Sequence, residues 1–320
     1  MKAEIIFKTR LALILSAFCL VFLSCDALDE EPFTELGSEF FYKTENDAIA
    51  AVNAAYAQLK IGNGYYRQQF LSNMHASSDQ GPSSWQHGDF RRGTIESANP
   101  MLERAWIDIY VAIKDANNVI KRVPEIADMD EELRKRLVGE ARFLRALHYF
   151  NLVRCFGEVP LRLDPVEPGD DGLPVSSIQD IFQVIIDDLN FAADHCWGFN
   201  ESRNGFNNNI GRVTKAAAQA LLTKVYLRIA SSKRTALEGV QGNTHYVDFP
   251  DPADVYYQKA IDQANLVLEQ PFYQLVSNLD QFVNLFDANN GNNSEFIFEI
   301  QGSSIAGEGT SLSNLYSPQN

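Results

Sequence analysis

Glu140, Arg142, Arg145, His148, Arg154 and Cys155 fall in one stretch, GEARFLRALHYFNLVRCFGEVPL, residues 139–161. A carboxylate, a histidine and a thiol gathered in this way are the groups of acid–base and nucleophilic catalysis. The same stretch is also the longest apolar-rich helical segment after the N-terminal leader. Val138, Ala141, Phe143, Leu144, Leu147, Phe150, Leu152 and Val153 cover most of a helix circumference, the mark of a helix enclosed by neighbours on several sides. Its polar groups must then be paired internally. Arg145 is expected to lie over Tyr149 four residues on, and Glu140 to meet an arginine or a helix N-terminus. The segment reads as scaffold, with Gly157 ending the helix and Pro160 preventing its resumption.

No other pattern supplies a reaction centre. His75, His87, His148, His195 and His245 show no HExxH or similar metal-ligand spacing. Carboxylate pairs for glycoside hydrolysis are uninformative among 42 acidic residues. DANNGNNSE, residues 287–295, resembles a calcium loop, but Gly291 takes the fifth position, where a ligand is needed, and the glutamate comes too early for the twelfth. A polar turn is the better reading. GxSxG, Walker A and Rossmann fingerprints are absent from the sequence. The expectation is a binding protein without catalytic residues, metal or cofactor.

Binding chemistry gathers instead in a long loop, residues 62–98, which holds GNGYYRQQF and SSDQGPSSWQHGDFRRG. Loops longer than about 15 residues in compact domains are usually functional or disordered. Tyr65, Tyr66, Asp79, Gln80, Trp85 and Arg91 lie there, outside any amphipathic seam. Aromatic faces that stack on sugar C–H groups, with amides and charges that bond hydroxyls, suit a concave glycan site. The other role open to Trp85 and the tyrosines is to anchor the loop onto the helices. Trp106, by contrast, sits on a helical seam and reads as core, and Trp197 reads as packing that ends its helix.

The elements that must position this loop are helical. Thr44 to Asp47 is a start signal for a helix carrying Ile49, Val52, Tyr56 and Leu59. Asn99 and Pro100 open a second, with a seam at Leu102, Trp106, Ile109, Ile113, Ala116 and Ile120 before Pro124. Asp130 opens the third, which runs to Gly157. Ser176 and Gln179 are read as a capping box for a fourth through Ile178, Phe182, Ile185, Leu189 and Ala192. Thr214 caps the alanine-rich fifth, and Asp251 with Pro252 opens a sixth through Tyr257, Ala260, Ala264 and Leu268. Residues 157–175 form a Pro/Gly-rich crossing. Only short segments such as Phe296 to Ile300 look like strands. The fold class is mainly α: degenerate tetratricopeptide-like helical hairpins forming an alpha-alpha superhelix, with long irregular loops and a few short strands. A strict 34-residue repeat is not present. Trp106 with Tyr110, and Ala146 with Phe150, echo fragments of its consensus.

The N-terminus carries an address. Lys2, Lys8 and Arg10 precede an apolar run from Leu11 to Leu23, too short for the roughly 20 residues that span a bilayer but long enough for a signal peptide. Ser24 before Cys25 resembles the lipobox of bacterial lipoproteins, with residues 1–24 as signal peptide and Cys25 as the acylated new N-terminus. An ordinary secretory signal is the alternative. DALDEEP then begins an acidic tether over residues 25–40. Of 320 residues, 27 are basic and 42 acidic, a net charge of −15, which loss of the leader would bring to about −17. That balance excludes a nucleic-acid partner, whose backbone needs a basic footprint. Of the four cysteines, Cys19 leaves with the leader, Cys155 reads as a small buried side chain, and its pairing with Cys196 stays open.

WIDIYVAIKDANNVIKRV, GEARFLRALHYFNLVRCFGEVPL, GRVTKAAAQALLTKVYLRIA, YYQKAIDQANLVLEQPFYQL and NSEFIFEIQ follow one another in the order and spacing of the SusD/RagB family of outer-membrane nutrient-binding lipoproteins. On that resemblance residues 41–320 are a SusD-like helical domain with much of the family's C-terminal subdomain missing. The resemblance implies a lipid-anchored protein of the outer membrane facing the cell exterior. It would capture oligosaccharides, or peptides as RagB-like members do, and pass them to a SusC-like TonB-dependent transporter. A helical-repeat scaffold that binds proteins and no glycan, and a hydrolase without a recognisable motif, are the rival classes.

Overall fold

The computed structural model describes residues 41–60, 64–66, 77–78, 88–167, 169–170, 172–203, 210–240, 243–287 and 290–301. Cys25 and the whole leader and tether lie outside the described residues. Among those described, no helix is long and apolar enough to cross a membrane.

Helix α1, Glu45–Ala57, begins at the expected capping box: Thr44 accepts the Asp47 backbone N–H while Asp47 accepts from the Thr44 backbone. A short helix α2, Gly88–Arg92, stands within the first long loop. Helix α3, Pro100–Arg122, starts at Asn99, whose side chain accepts from Met101 N–H at 2.9 Å. Its buried stripe is wider than the sequence seam and is rotated toward Ala105, Ala112, Ala116 and Val119, with Leu102, Trp106 and Ile120 only half-buried. Trp106 closes the edge of the core, edge-on to Phe156 at 5.1 Å.

Helix α4, Glu131–Phe156, is the central element, and every residue from 143 to 153 is buried. Gly157, at φ 73°, ends it in a conformation that side chains resist. Two-residue strands β1, Val159–Pro160, and β2, Val175–Ser176, pair antiparallel and clasp the crossing loop between them. Ser176 therefore belongs to a strand. The cap of helix α5, Ile178–His195, is one residue later than the sequence reading: Ser177 accepts from Asp180 N–H at 3.1 Å. Helix α6, Lys215–Leu237, is capped by Thr214 as expected. Helix α7, Ala253–Leu268, buries Tyr256, Ala260 and Val267, whereas Leu268, expected on its seam, is 72% exposed. A six-residue helix α8, Leu279–Asn284, follows.

Consecutive helices α3 to α7 pack side against side, which makes the fold a run of tetratricopeptide-like helical hairpins. One core runs through it: Ile109 and Ile113 of α3, Leu144 and Tyr149 of α4, Ile181 and Phe182 of α5, Leu222 and Val225 of α6, and Ala260 of α7. Residues 296–300 form no strand. Strand side chains alternate between faces, whereas the adjacent Ile297 and Phe298 both pack on the core.

Cys155 is exposed and Cys196 is buried, and both are free thiols, so the small buried cysteine is the one at the end of α5. The reason is rotational: on the last turn of α4 Phe156 packs on the core while Cys155 turns to solvent. Burial and then the nearby Glu140 carboxylate raise the Cys196 thiol well above its ordinary range, which keeps it protonated.

Candidate functional site

The charged groups of α4 do structural chemistry. Arg145 does not lie over Tyr149: its guanidinium forks onto Asp188 of α5 at 2.7 and 2.8 Å and also donates to Asn117 Oδ1 and the Leu163 carbonyl. A buried carboxylate two strong bonds away outcompetes a ring face. Asn117 and Tyr149 donate to carbonyls of the crossing loop at Arg162, each at 2.9 Å, and Tyr110 does so at Pro160. The loop after β1 is thus fastened by its backbone to side chains of α3 and α4. His148 is fully buried, its Nδ1 bonded to the Tyr65 hydroxyl, and desolvation lowers its pKa to about 3.

That bond fixes the role of Tyr65. Its ring is fully buried in the core, edge-on to Tyr66 and near His148 at 5.6 Å, so it anchors the long loop from within. Tyr66 is half-buried against the same core, and Arg91 is exposed on α2. Asp79, Gln80 and Trp85 lie outside the described residues. Phe90 is buried on α2.

Where the loop leaves α1, the surface opens into a groove of about 440 Å³, within the size range of small-molecule sites. Asn53, Tyr56 and Lys60 form one wall, Gly211 and Arg212 a second, and Gln301 closes the end. Arg212 is its keystone. It donates to Glu140 Oε2 at 2.7 Å and to Asn53 Oδ1 at 2.8 Å, tying α1, α4 and the turn before α6 together. Glu140 also accepts from Arg136 Nε at 2.9 Å and from the Tyr56 hydroxyl at 3.0 Å, so the expectation that it meets an arginine is met twice. Tyr56 in turn accepts Val213 N–H at 2.8 Å. Burial, then the Glu140 carboxylate, raise the Tyr56 hydroxyl well above the usual phenol range, so it stays a donor. Burial opposes the Arg212 charge, but Glu140 outweighs it and the pKa rises.

Gly211, at φ 73°, is required by the end wall. A Cβ there would come within 2.3 Å of Gln301 Cγ. Gln301 is held by a mutual amide pair with Asn292 at 2.9 and 3.0 Å. In the turn around it Glu295 accepts Val276 N–H and Glu299 accepts Asn292 N–H, and no cluster of metal-ligating side chains is found among the described residues. Sequence reasoning missed the groove because positions 53, 60, 212 and 301 share no local period. The one available signal was Arg212 immediately before the Val213–Thr214 cap.

Comparison with known proteins agrees with this architecture. Residues 26–227 match the SusD-like family described as "Starch-binding associating with outer membrane". SusD-like protein P2 of Formosa agariphila is 27% identical over 277 residues, covering 84% of this chain and 48% of its own. A solved laminarin binding SusD-like protein superposes with a TM-score of 0.62 at 28% identity, covering 80% of this chain and 51% of that one. A structure solved with xylogluco-oligosaccharide does so with a TM-score of 0.61 at 26% identity, covering 79% and 46%. The chain spans about half the length of the relatives it matches. With matching sequence over most of the helical region and the same fold, the chain belongs to the SusD-like family.

Proposed function

We infer that this chain is a glycan-binding lipoprotein, held in the outer membrane through acylated Cys25 and facing the cell exterior, that captures oligosaccharides without cleaving them. It then hands them to a SusC-like TonB-dependent transporter. The observation that carries the reading is the family match over residues 26–227. Similarity to a laminarin-binding protein and to one solved with a xyloglucan fragment favours saccharide over peptide as cargo.

Two surfaces of the chain serve capture in this account. Asp79, Gln80, Trp85 and Arg91, with Tyr66, belong to the long loop that meets the ligand in this account, while Tyr65 secures it to α4. The groove between Asn53 and Arg212 adjoins the start of that loop and supplies amide and guanidinium donors beside a tyrosine ring. The glutamate, histidine and arginines of α4 are consumed by internal bonds, which supports binding rather than hydrolysis.

The transporter partnership is tested by tagging the chain in its native outer membrane and identifying what co-purifies after detergent extraction. A TonB-dependent barrel in stoichiometric amount is the expected result. Recovery of the tagged chain without such a barrel would refute the hand-over and leave capture alone.

A further inference from the structure

We propose that the groove between Asn53, Lys60 and Arg212 takes a saccharide unit bearing an anionic group, a carboxylate or a sulfate. The inference rests on the glycan-binding reading above and adds the charge of the ligand.

The groove is an exception to the charge of the chain. With 42 acidic residues against 27 basic, an arbitrary surface cavity should expose carboxylates. The cavity beside α8 does so, with Asp280 and Asp287 in its lining. In the groove the charged lining residues, among those described, are Lys60 and Arg212, both cationic. The acid nearest Arg212 is Glu140, which is fully buried and shared with Arg136. One carboxylate facing two guanidiniums leaves about one positive charge uncompensated. Arg136 is sealed, with 4% of its side chain exposed, whereas Arg212 is 20% exposed, so the excess charge emerges in the groove. Among the described residues Lys60 forms no ion pair.

The hydrogen-bonding inventory points the same way. Arg212 has no acceptor atom, so the Asn53 atom that meets it at 2.8 Å must be the carbonyl oxygen. That orientation commits the oxygen and leaves the Asn53 amide NH2 as the end able to meet a ligand. Arg212 spends one bond from each terminal nitrogen and retains further N–H groups, and Lys60 offers only donors. Gln301 has both ends engaged by Asn292. The groove is therefore rich in donors and poor in acceptors. A neutral sugar hydroxyl both donates and accepts, while a carboxylate or sulfate only accepts and gains the charge-assisted bonds. The pocket around Gln274, Ser277 and Asn293 is a useful contrast: it is lined by uncharged polar groups, several of them already bonded to one another.

Titration calorimetry on the purified full chain, with oligogalacturonate, a sulfated galactan oligosaccharide, a laminari-oligosaccharide and a xyloglucan oligosaccharide, tests this. Expected is saturable binding of the galacturonate or the sulfated galactan, weakening as NaCl rises from 0.05 to 0.5 M by screening. The Lys60→Gln variant, which breaks no described contact and should keep its melting temperature, is expected to bind that ligand about tenfold more weakly. Which of the two anionic ligands binds identifies carboxylate or sulfate as the source. Binding of the neutral oligosaccharides alone would overturn the anionic assignment and leave the glycan-binding reading intact. Anionic binding indifferent to both salt and Lys60→Gln would likewise overturn it. Binding of none of the four would count against both.

Discussion

Replacing Glu140 by alanine should be among the most damaging single changes in the chain. The carboxylate is fully buried and accepts three bonds, from Arg136, Arg212 and Tyr56. Removing it strands Arg136 as an unpaired buried charge, a change that costs about 3–5 kcal/mol in comparable sites. The Arg212 share is smaller, because one-fifth of that side chain reaches solvent and water can take over part of the interaction. A total near 4 kcal/mol, at about 2–4 °C per kcal/mol for domains of a few hundred residues, lowers the melting temperature by roughly 10 °C. Tyr56→Phe alone should cost about 1–2 kcal/mol, since it removes one bond to Glu140 and leaves Val213 N–H without its acceptor. If Glu140 and its three donors act as one network, the double variant will be less destabilised than the sum, by about 0.5 kcal/mol or more. Chemical unfolding of the four proteins reads this directly. A Glu140→Ala cost below about 1 kcal/mol, or strict additivity with Tyr56→Phe, would refute the claim that this network holds the groove.

Stability should also respond to acid through His148. Its pKa falls from the ordinary 6.5 to about 3 by burial, so the unfolded chain binds the proton more readily. The contribution is complete above pH 6.5 and is lost as pH falls toward 3, at about 1.4 kcal/mol per pH unit; His148→Gln should flatten that slope in pH-dependent unfolding, and an unchanged slope would exclude His148 as its source. Gly211→Ala places a Cβ in the left-handed region and against Gln301, so we expect a loss of about 1 kcal/mol or more together with weakened ligand binding, both absent if the end wall is unimportant. Metabolic labelling with palmitate should mark the wild-type chain and not Cys25→Ala, and persistent labelling would place the lipid elsewhere.

The helices were legible because their signals are local. Thr44 with Asp47, Asn99 with Pro100, and Thr214 mark starts within four residues, and α4 announces its enclosure by apolar residues all round. Errors arose where a register had to be chosen between neighbours, as at Ser176 and Ser177, or where burial depended on a distant element. Leu268 and Cys155 have the right residue type for a core but turn to solvent beside Val267 and Phe156, which pack inward. Arg145 shows the same limit: its sequence neighbour Tyr149 was visible, while Asp188, 43 residues away, was not. The groove was hidden for that reason, being assembled from three separate stretches of chain. Tyr65 belonged to the correct loop, but its role depended on a histidine 83 residues away.

The central claim is capture of saccharide without chemistry, and one calorimetric experiment on the pure chain meets it most directly. Oligosaccharides from starch, laminarin, xyloglucan, galacturonan and sulfated galactan would be titrated in turn, with reducing ends measured in the cell afterwards. The account predicts saturable heat with at least one of them and no rise in reducing ends. Sustained release of reducing ends, or no heat with any of the five, would contradict it.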